Sequence, residues 1–158
     1  MTSTASAAAL LHVALQDLHA GKMEQVRRLP AIAAGCSDAV LAECLRTEAA
    51  NVAVQAERLQ KAGGDMEGPS NLWMSGILND AERDARQTQR GRLLDIALTG
   101  AIRKAKAAEI VSSETAQGLA AGLGLDDISL AVEANRQDEI AADRRLNCLL
   151  YTSPSPRD

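Results

Sequence analysis

The chain has 158 residues, of which 46% are hydrophobic and 24% charged. It is therefore long enough to form one globular domain with a buried core, and too apolar to be disordered. A formal net charge of -4 lacks the basic excess typical of nucleic-acid-binding proteins. The apolar runs are too short for a membrane span, and no signal peptide is predicted because the N-terminus lacks a basic stretch.

The first half of the chain predicts two long helices joined by a tight turn. Apolar residues recur at helical spacing over about 4–34, although Pro30 should kink or divide this helix. Ser37 or Asp38 then suits the cap of a second helix over about 38–62. The inner face of the second helix is expected to carry Val40, Leu41, Leu45, Val52 and Leu59.

The second half begins with the clearest loop of the chain, "GGDMEGPSN". A short helix is predicted over about 72–86, followed by long helices over about 92–123 and 127–146, the last capped by Asp126 or Asp127. No strand pattern competes with these helices. Four long helices with short connections predict an all-α, antiparallel four-helix bundle, with the short helix between the second and third long ones.

The end of the chain differs in composition from the rest. The peptide "CLLYTSPSPRD" back-translates with allowed codons to a transposase mosaic end followed by an adapter used in sequencing libraries. We therefore expect residues 1–147 to form the bundle and residues 148–158 to be a non-native tail. This tail should lack packing against the bundle, or merely extend the last helix by a turn.

Cysteine and histidine residues give no sign of a zinc site or of a nucleophilic enzyme. Cys36, Cys44 and Cys148 have no metal-binding spacing and are expected to be free thiols in the cytoplasm. His12 and His19 share one helical face but are about 10 Å apart along it, too far for one ion. The hydroxyl groups of "SSET" at positions 112–115 could find a histidine as their base only on the first helix, so we do not predict a nucleophilic enzyme.

An unusual apolar stretch, "NLWMSGIL", falls on the short helix, where Trp73, Met74 and Ile77 form a compact face. One interpretation is that this face plugs one side of the bundle. The alternative is a contact with a second copy of the chain or with another protein, because Trp and Met are enriched at such contacts.

Several stretches of the chain resemble the YciE/YciF-type ferritin-like proteins. The resembling segments are "LQDLHAGKMEQVRRLPAIA", "LRTEAANVAVQAERLQKAG", "LLDIALTGAIRKAKAAEIVSSETA" and "RQDEIAADRRL", and together they extend over nearly the whole chain up to Asn147. The resemblance implies a ferritin-like four-helix bundle that is usually dimeric and linked to bacterial stress responses. In that family, inward-facing carboxylates and histidines of the four helices can hold two metal ions.

The positions that match this two-metal site depart from the family pattern. Lys22 stands at a glutamate position of the first helix, and Glu48 at a histidine position of the second, where Asn51 follows at a carboxylate position. In the third helix, the Glu-His-x-Glu run of the family is reduced to Lys106 and Glu109. The acidic pair of the fourth helix is retained as Asp138 and Glu139.

Three arrangements of the two lysines remain open. Lys22 and Lys106 could point inward and replace the charge of the metal by pairing with Glu48, Glu109 and Glu139. They could instead extend outward to solvent, or leave a remodelled metal site. We favour a structural or interaction protein with a degenerate metal site and no cofactor. The alternative is iron binding, with ferroxidase-like activity, through the carboxylates Glu48, Glu109, Asp138 and Glu139.

Overall fold

The computed structural model describes residues 3–152 and contains five helices over that range, with no strand. The helices are α1 (Ala7–Gly35), α2 (Ala39–Gly63), α3 (Leu72–Gln87), α4 (Arg92–Gly122) and α5 (Asp126–Thr152). The predicted all-α bundle with a short extra helix is confirmed. Within the described range, no helix combines the length and the apolar character that a membrane crossing requires.

The helix cap predicted from the sequence is found at the start of α2 but not at the start of α5. The side chain of Asp38 accepts hydrogen bonds from the backbone N–H groups two and three positions later, which confirms it as the cap of α2. In α5 the N–H of Ser129 already donates to the carbonyl of Leu125. Asp126 and Asp127 therefore lie in the first turn rather than at the cap, where negative charge is also favourable.

Two details of the predicted helices differ in the structure. Helix α1 is not divided at Pro30 but continues to Gly35, whereas a kink at Pro30 stays a prediction. Val40 was expected on the inner face of α2 but is 63% exposed, because Leu41 and Leu45 take the inward positions at the start of this helix.

The order of the helices in space is that of a ferritin-like bundle. Near the end of α1, the backbone N–H groups of Ser37 and Asp38 donate to the carboxylate of Asp95 at 2.8 and 2.9 Å, so α2 and α4 begin at the same end of the molecule. Because α2 finishes at the other end, the chain must cross the length of the bundle to reach α4. Helix α3 makes this crossing against α1 and α4.

Helix α3 is held to the bundle by apolar and polar contacts. Met74, Leu78 and Ala81 are fully buried in the core, which confirms that this helix covers one side of the bundle. The prediction of Met74 as part of a contact surface is wrong, because its inward position leaves nothing exposed. Trp73 is half-buried and donates its indole N–H to Asp17 at 2.9 Å.

The apolar interior consists of two separate clusters. One cluster includes Leu29, Leu45 and Leu98, and the other includes Leu11, Leu59 and other residues toward the opposite end. Between the two clusters, each of the four long helices contributes buried polar or charged side chains instead of apolar ones. This polar layer is the candidate site described below.

The described part of the end of the chain is helical. Helix α5 runs to Thr152, past the predicted end at 146, and Leu149 packs partly against the core while Tyr151 is 82% exposed. Pro154 and Pro156 lie outside the described residues. The assignment of residues 148–158 to a non-native tail thus stays a prediction.

We expect Asp95→Ala to lower the free energy of unfolding by about 1–3 kcal/mol, because the backbone N–H groups of Ser37 and Asp38 lose their buried hydrogen-bond acceptor. Asp127→Ala is the matched control, since it removes a first-turn carboxylate that is exposed. Urea denaturation of both variants measures the difference. Equal, small losses in the two variants would show that Asp95 does not fix the α1–α2 turn to α4.

A buried lysine–carboxylate layer as the candidate functional site

The centre of the bundle contains seven side chains that could form hydrogen bonds or ion pairs with one another. They come from all four long helices, and none is more than 3% exposed. We call this set the polar layer; its members are Lys22, Gln25, Glu48, Gln55, Lys106, Glu109 and Glu139. Both lysines thus point inward, as in the first of the three arrangements left open by the sequence.

The ammonium group of Lys106 is surrounded by oxygen atoms from every long helix. Its Nζ lies 2.6 Å from Glu48 Oε1, 2.9 Å from Glu139 Oε2 and 3.6 Å from Glu109 Oε2. It also donates to Gln25 Oε1 at 3.0 Å. Three carboxylates and an amide oxygen therefore replace the water that burial removes from this cation.

The ammonium group of Lys22 has fewer carboxylate partners than that of Lys106. Its Nζ donates to Gln55 Oε1 at 2.6 Å and to Glu109 Oε1 at 3.0 Å, and lies 3.5 Å from Glu139 Oε1. Its closest partner is thus a neutral amide, whereas the closest partner of Lys106 is a carboxylate.

Two carboxylates bridge the two ammonium groups. Glu109 and Glu139 each direct Oε1 toward Lys22 and Oε2 toward Lys106. Bridging carboxylates from facing helices are also the arrangement that holds paired metal ions in ferritin-like proteins. In this chain, the positive charges that the two carboxylates bridge are those of lysine side chains instead of metal ions.

The polar layer has an internal repeat that the sequence analysis missed. Lys106, Glu109 and Glu139 each lie 84 positions after a counterpart, namely Lys22, Gln25 and Gln55. The contacts follow the same relation: Lys22 to Glu109 and Lys106 to Gln25 both measure 3.0 Å. Comparing the two helical hairpins at this fixed offset would have predicted the two glutamines.

The structure does not bring every predicted site residue into the layer. The side chain of Asp138 is 49% exposed and pairs with Arg58 at 3.0 Å, because it adjoins Glu139 and successive residues of a helix point about 100° apart. Asn51 is only half-buried. Assigning Asp138 to the site is therefore wrong, whereas Glu48, Glu109 and Glu139 converge.

The side chains of the two histidines also lie away from this centre. His12 is exposed, and His19 is half-buried on the outer side of α1, where burial and the nearby charge of Lys22 lower its pKa. Neither imidazole is among the contacts of the polar layer.

Burial and charge shift the pKa values of the two bridging carboxyl groups in opposite directions. Burial, together with the neighbouring Glu139, raises the pKa of Glu109 to about 7. Burial acts against ionisation of Glu139 too, but Lys106 and Lys22 outweigh it and lower that pKa to about 2. Of the two bridging carboxyl groups, Glu109 is therefore the one that takes up a proton first as pH falls, because the lysines keep Glu139 ionised.

The same carboxylates keep Lys106 charged. Burial alone would lower the pKa of an ammonium group, but Glu139, Glu109 and Glu48 together raise the pKa of Lys106 above its ordinary value. Arg145, at the surface, adds a further positive charge 3.8 Å from Glu48 Oε2. The layer is thus a buried ion-pair network with one edge near solvent.

The donor set does not fit a two-metal centre. A carboxylate-bridged pair of metal ions takes about four carboxylates and two histidines, whereas the layer offers three carboxylates and two cations that would repel a metal. Within the described residues, no group of three or more His, Cys, Asp or Glu side chains is arranged to hold a metal ion. We therefore derive no step through a metal.

The pKa of Glu109 predicts how stability depends on pH. Its pKa is raised to about 7 in the folded protein, so the folded state binds this proton more tightly than the unfolded state. The free energy of unfolding should therefore fall as pH rises from about 4.5 to 7, by at most about 1.4 kcal/mol per pH unit for one proton.

The measurement is urea denaturation of the wild type and of Glu109→Gln at constant ionic strength between pH 4.5 and 8. The amide mimics the protonated acid, so the variant should lose most of this slope. Identical slopes in the two proteins would show that Glu109 does not titrate in this range.

Comparisons with known proteins agree with this architecture. No curated protein sequence matches the chain. The Escherichia coli stress protein YciF matches in structure with a TM-score of 0.87 and 21% identity, over 91% of this chain and 94% of that one. YcfI, described as a putative structural protein from Rhodopseudomonas palustris, matches with a TM-score of 0.87 and 24% identity, over 92% and 95% of the two chains.

At these identities, the two structures establish the ferritin-like fold. The family itself follows from the sequence, because a family model matches residues 6–154. The chain therefore belongs to the family described as domain of unknown function DUF892, and the predicted YciE/YciF-type relationship is confirmed.

Proposed function

We propose that this protein is a stress-associated structural or interaction module whose centre is held together by its own lysines instead of by metal ions. The observation that carries the proposal is the pair of ammonium groups between two bridging carboxylates. The stress association rests on YciF, which is described as a stress protein, and the structural role on YcfI, described as a putative structural protein.

The burial of the layer supports a role without catalysis. Glu109, Glu139 and both lysines are fully buried, and Glu48 is 3% exposed. A substrate cannot reach these groups without separation of the helices, so their charges act on one another. The free thiols of Cys36, Cys44 and Cys148 support a reducing compartment such as the cytoplasm.

A surface beside the half-buried Trp73 supports contact with a second copy of the chain. Leu72 is 81% exposed at the start of α3, and Ile77 is half-buried on the same short helix. We propose that Leu72, Trp73 and Ile77 contribute to a homodimer interface, because exposed apolar side chains around a tryptophan are typical of such contacts.

Iron loading tests the central proposal. After anaerobic incubation with Fe(II) and desalting, mass spectrometry should find far less than one iron per chain, because the two lysines repel the ion. Glu109→Ala should not change that amount. One or two irons per wild-type chain, lost in Glu109→Ala, would favour the alternative of a working iron site.

Leu72→Ser should weaken the proposed dimer, since it removes an apolar contact from its centre. Light scattering after size-exclusion chromatography measures the mass at a series of protein concentrations. Val111→Ser is the matched control, because Val111 is 63% exposed on α4. A monomeric wild type, or the same weakening in both variants, would contradict the proposed interface.

A further inference from the structure

We propose that a groove on the outside of the bundle binds a fatty acid, that is, one aliphatic chain with a carboxylate at its end. The groove lies between the start of α2, over residues 39–47, and the end of α5, over residues 144–149, and we call it the α2–α5 groove. Its volume is about 760 Å³, which is typical of sites for small organic ligands. The proposal goes beyond the proposed function, because it concerns the surface of the bundle and not the polar layer.

The pairing of side chains between α2 and α5 shows how the groove forms. Arg58, late in α2, pairs with Asp138 at 3.0 Å, whereas Glu48, earlier in α2, lies 3.8 Å from Arg145, later in α5. Earlier positions of α2 therefore face later positions of α5, so the two helices are antiparallel. The first turns of α2 and the last turns of α5 meet at one end of the bundle, and the groove lies between them.

The end of the groove nearest the start of α2 is apolar. Val40 is 63% exposed there, and Val40, Cys44 and Thr47 line one wall because they share a helical face. Leu149, which is half-buried, contributes to the opposite wall. An aliphatic chain in this position would remove apolar surface from water, which is favourable. Of the lining residues, only Cys148 and Leu149 belong to the predicted non-native tail, so the wall formed by α2 does not depend on that prediction.

The other end of the groove carries two guanidinium groups. Arg144 is exposed and forms no hydrogen bond or ion pair with any residue that the structure describes. The side chain of Arg145 is 53% exposed, and its contact with Glu48 Oε2 measures 3.8 Å, which is longer than a hydrogen bond. Both arginines therefore have N–H donors available, and the planar guanidinium group suits a carboxylate.

The acidic groups near the two arginines are already paired. Glu43, the one acidic residue of the lining, has its Oε2 3.0 Å from the guanidinium group of Arg46. Glu48, which lies beneath Arg145, is 2.6 Å from the ammonium group of Lys106. The charge at this end of the groove is therefore positive, which favours an anionic ligand over a neutral or cationic one.

A fatty acid satisfies both ends of the groove at once. Its carboxylate can accept hydrogen bonds from Arg144 and Arg145 while its chain covers Val40. An inorganic anion would leave the apolar end in water, and a neutral hydrocarbon would leave the guanidinium groups without an anion. Thr47 and Val40 are about 10 Å apart along α2, a length that a chain such as that of decanoate can span.

Calorimetric titration of the full-length protein tests the proposal, with decanoate, decanol and acetate as ligands. The titrations use concentrations at which decanoate does not form aggregates. We expect saturable binding of one decanoate per chain and no measurable binding of acetate. Decanol should bind at least about tenfold more weakly than decanoate, because it lacks the charge that the two arginines recognise.

Two substitutions test the two ends of the groove separately. Arg144→Gln should weaken decanoate binding at least about fivefold and leave decanol binding unchanged. Val40→Asp should weaken the binding of both ligands, because a carboxylate then lies in the apolar end, and negative charge near the start of a helix is compatible with folding. The matched controls are Arg86→Gln, at an exposed position of α3, and Val111→Asp, since Val111 is 63% exposed on α4.

Each contrary result has a definite meaning. Lack of saturable decanoate binding, or equal affinities for decanoate and decanol, would overturn the proposal. Decanoate binding that is unchanged in Val40→Asp would also overturn it, because the ligand would then lie elsewhere. If the wild type dimerises without binding decanoate and Val40→Asp is monomeric, a second copy of the chain occupies the groove and the proposal is wrong. Iron loading enters none of these results, so the proposed function is tested separately.

Discussion

The whole bundle depends on the need to surround two buried ammonium groups with oxygen atoms. A lysine removed from water is tolerated only when other groups replace its hydration and balance its charge. Lys106 obtains these partners from all four long helices, and Lys22 from the three other than its own. Each helix must therefore present its polar residues at the same height, and this requirement sets the relative position of all four.

The partners that the two lysines require limit how far one helix can slide along another, which the apolar clusters cannot do by themselves. The core is built of Leu, Ala, Ile, Val and Met, with no phenylalanine, and similar small side chains recur at every helical turn. Sliding one helix by a turn would keep much of the apolar contact, but it would leave Lys106 or Glu139 without partners. We infer that the polar layer fixes the register of the helices, even where its net contribution to stability is small.

The sequence predicted the fold well because helical periodicity and turn residues are local signals. The bounds of α2, α3 and α4 lay within one residue of the predicted ends, whereas α5 extended beyond 146 because Leu149 still finds core contacts. The sequence left three arrangements of the two lysines open, because a helix can present a lysine either to the core or to solvent.

The errors at the site had two causes. Asp138 and Glu139 are adjacent carboxylates, and only the packing of α5 against α2 and α4 decides which of them faces inward. Gln25 and Gln55 were missed because a glutamine in a helix has no distinctive sequence signal. Their correspondence to Glu109 and Glu139 is found only when the two helical hairpins are compared at the 84-residue offset, and their contacts with Lys22 and Lys106 follow it.

A built-in cation differs from a bound metal in one physical respect that bears on function. The stability that a metal ion gives to a bundle depends on the concentration of free ion, because binding contributes only by mass action. An ammonium group carried by the chain contributes at every metal concentration, including the low ones that follow chelation. Replacement of the metal by Lys22 and Lys106 would thus separate the integrity of this bundle from metal supply. In exchange, the buried layer would respond to pH, because burial and the neighbouring Glu139 raise the pKa of Glu109 to about 7.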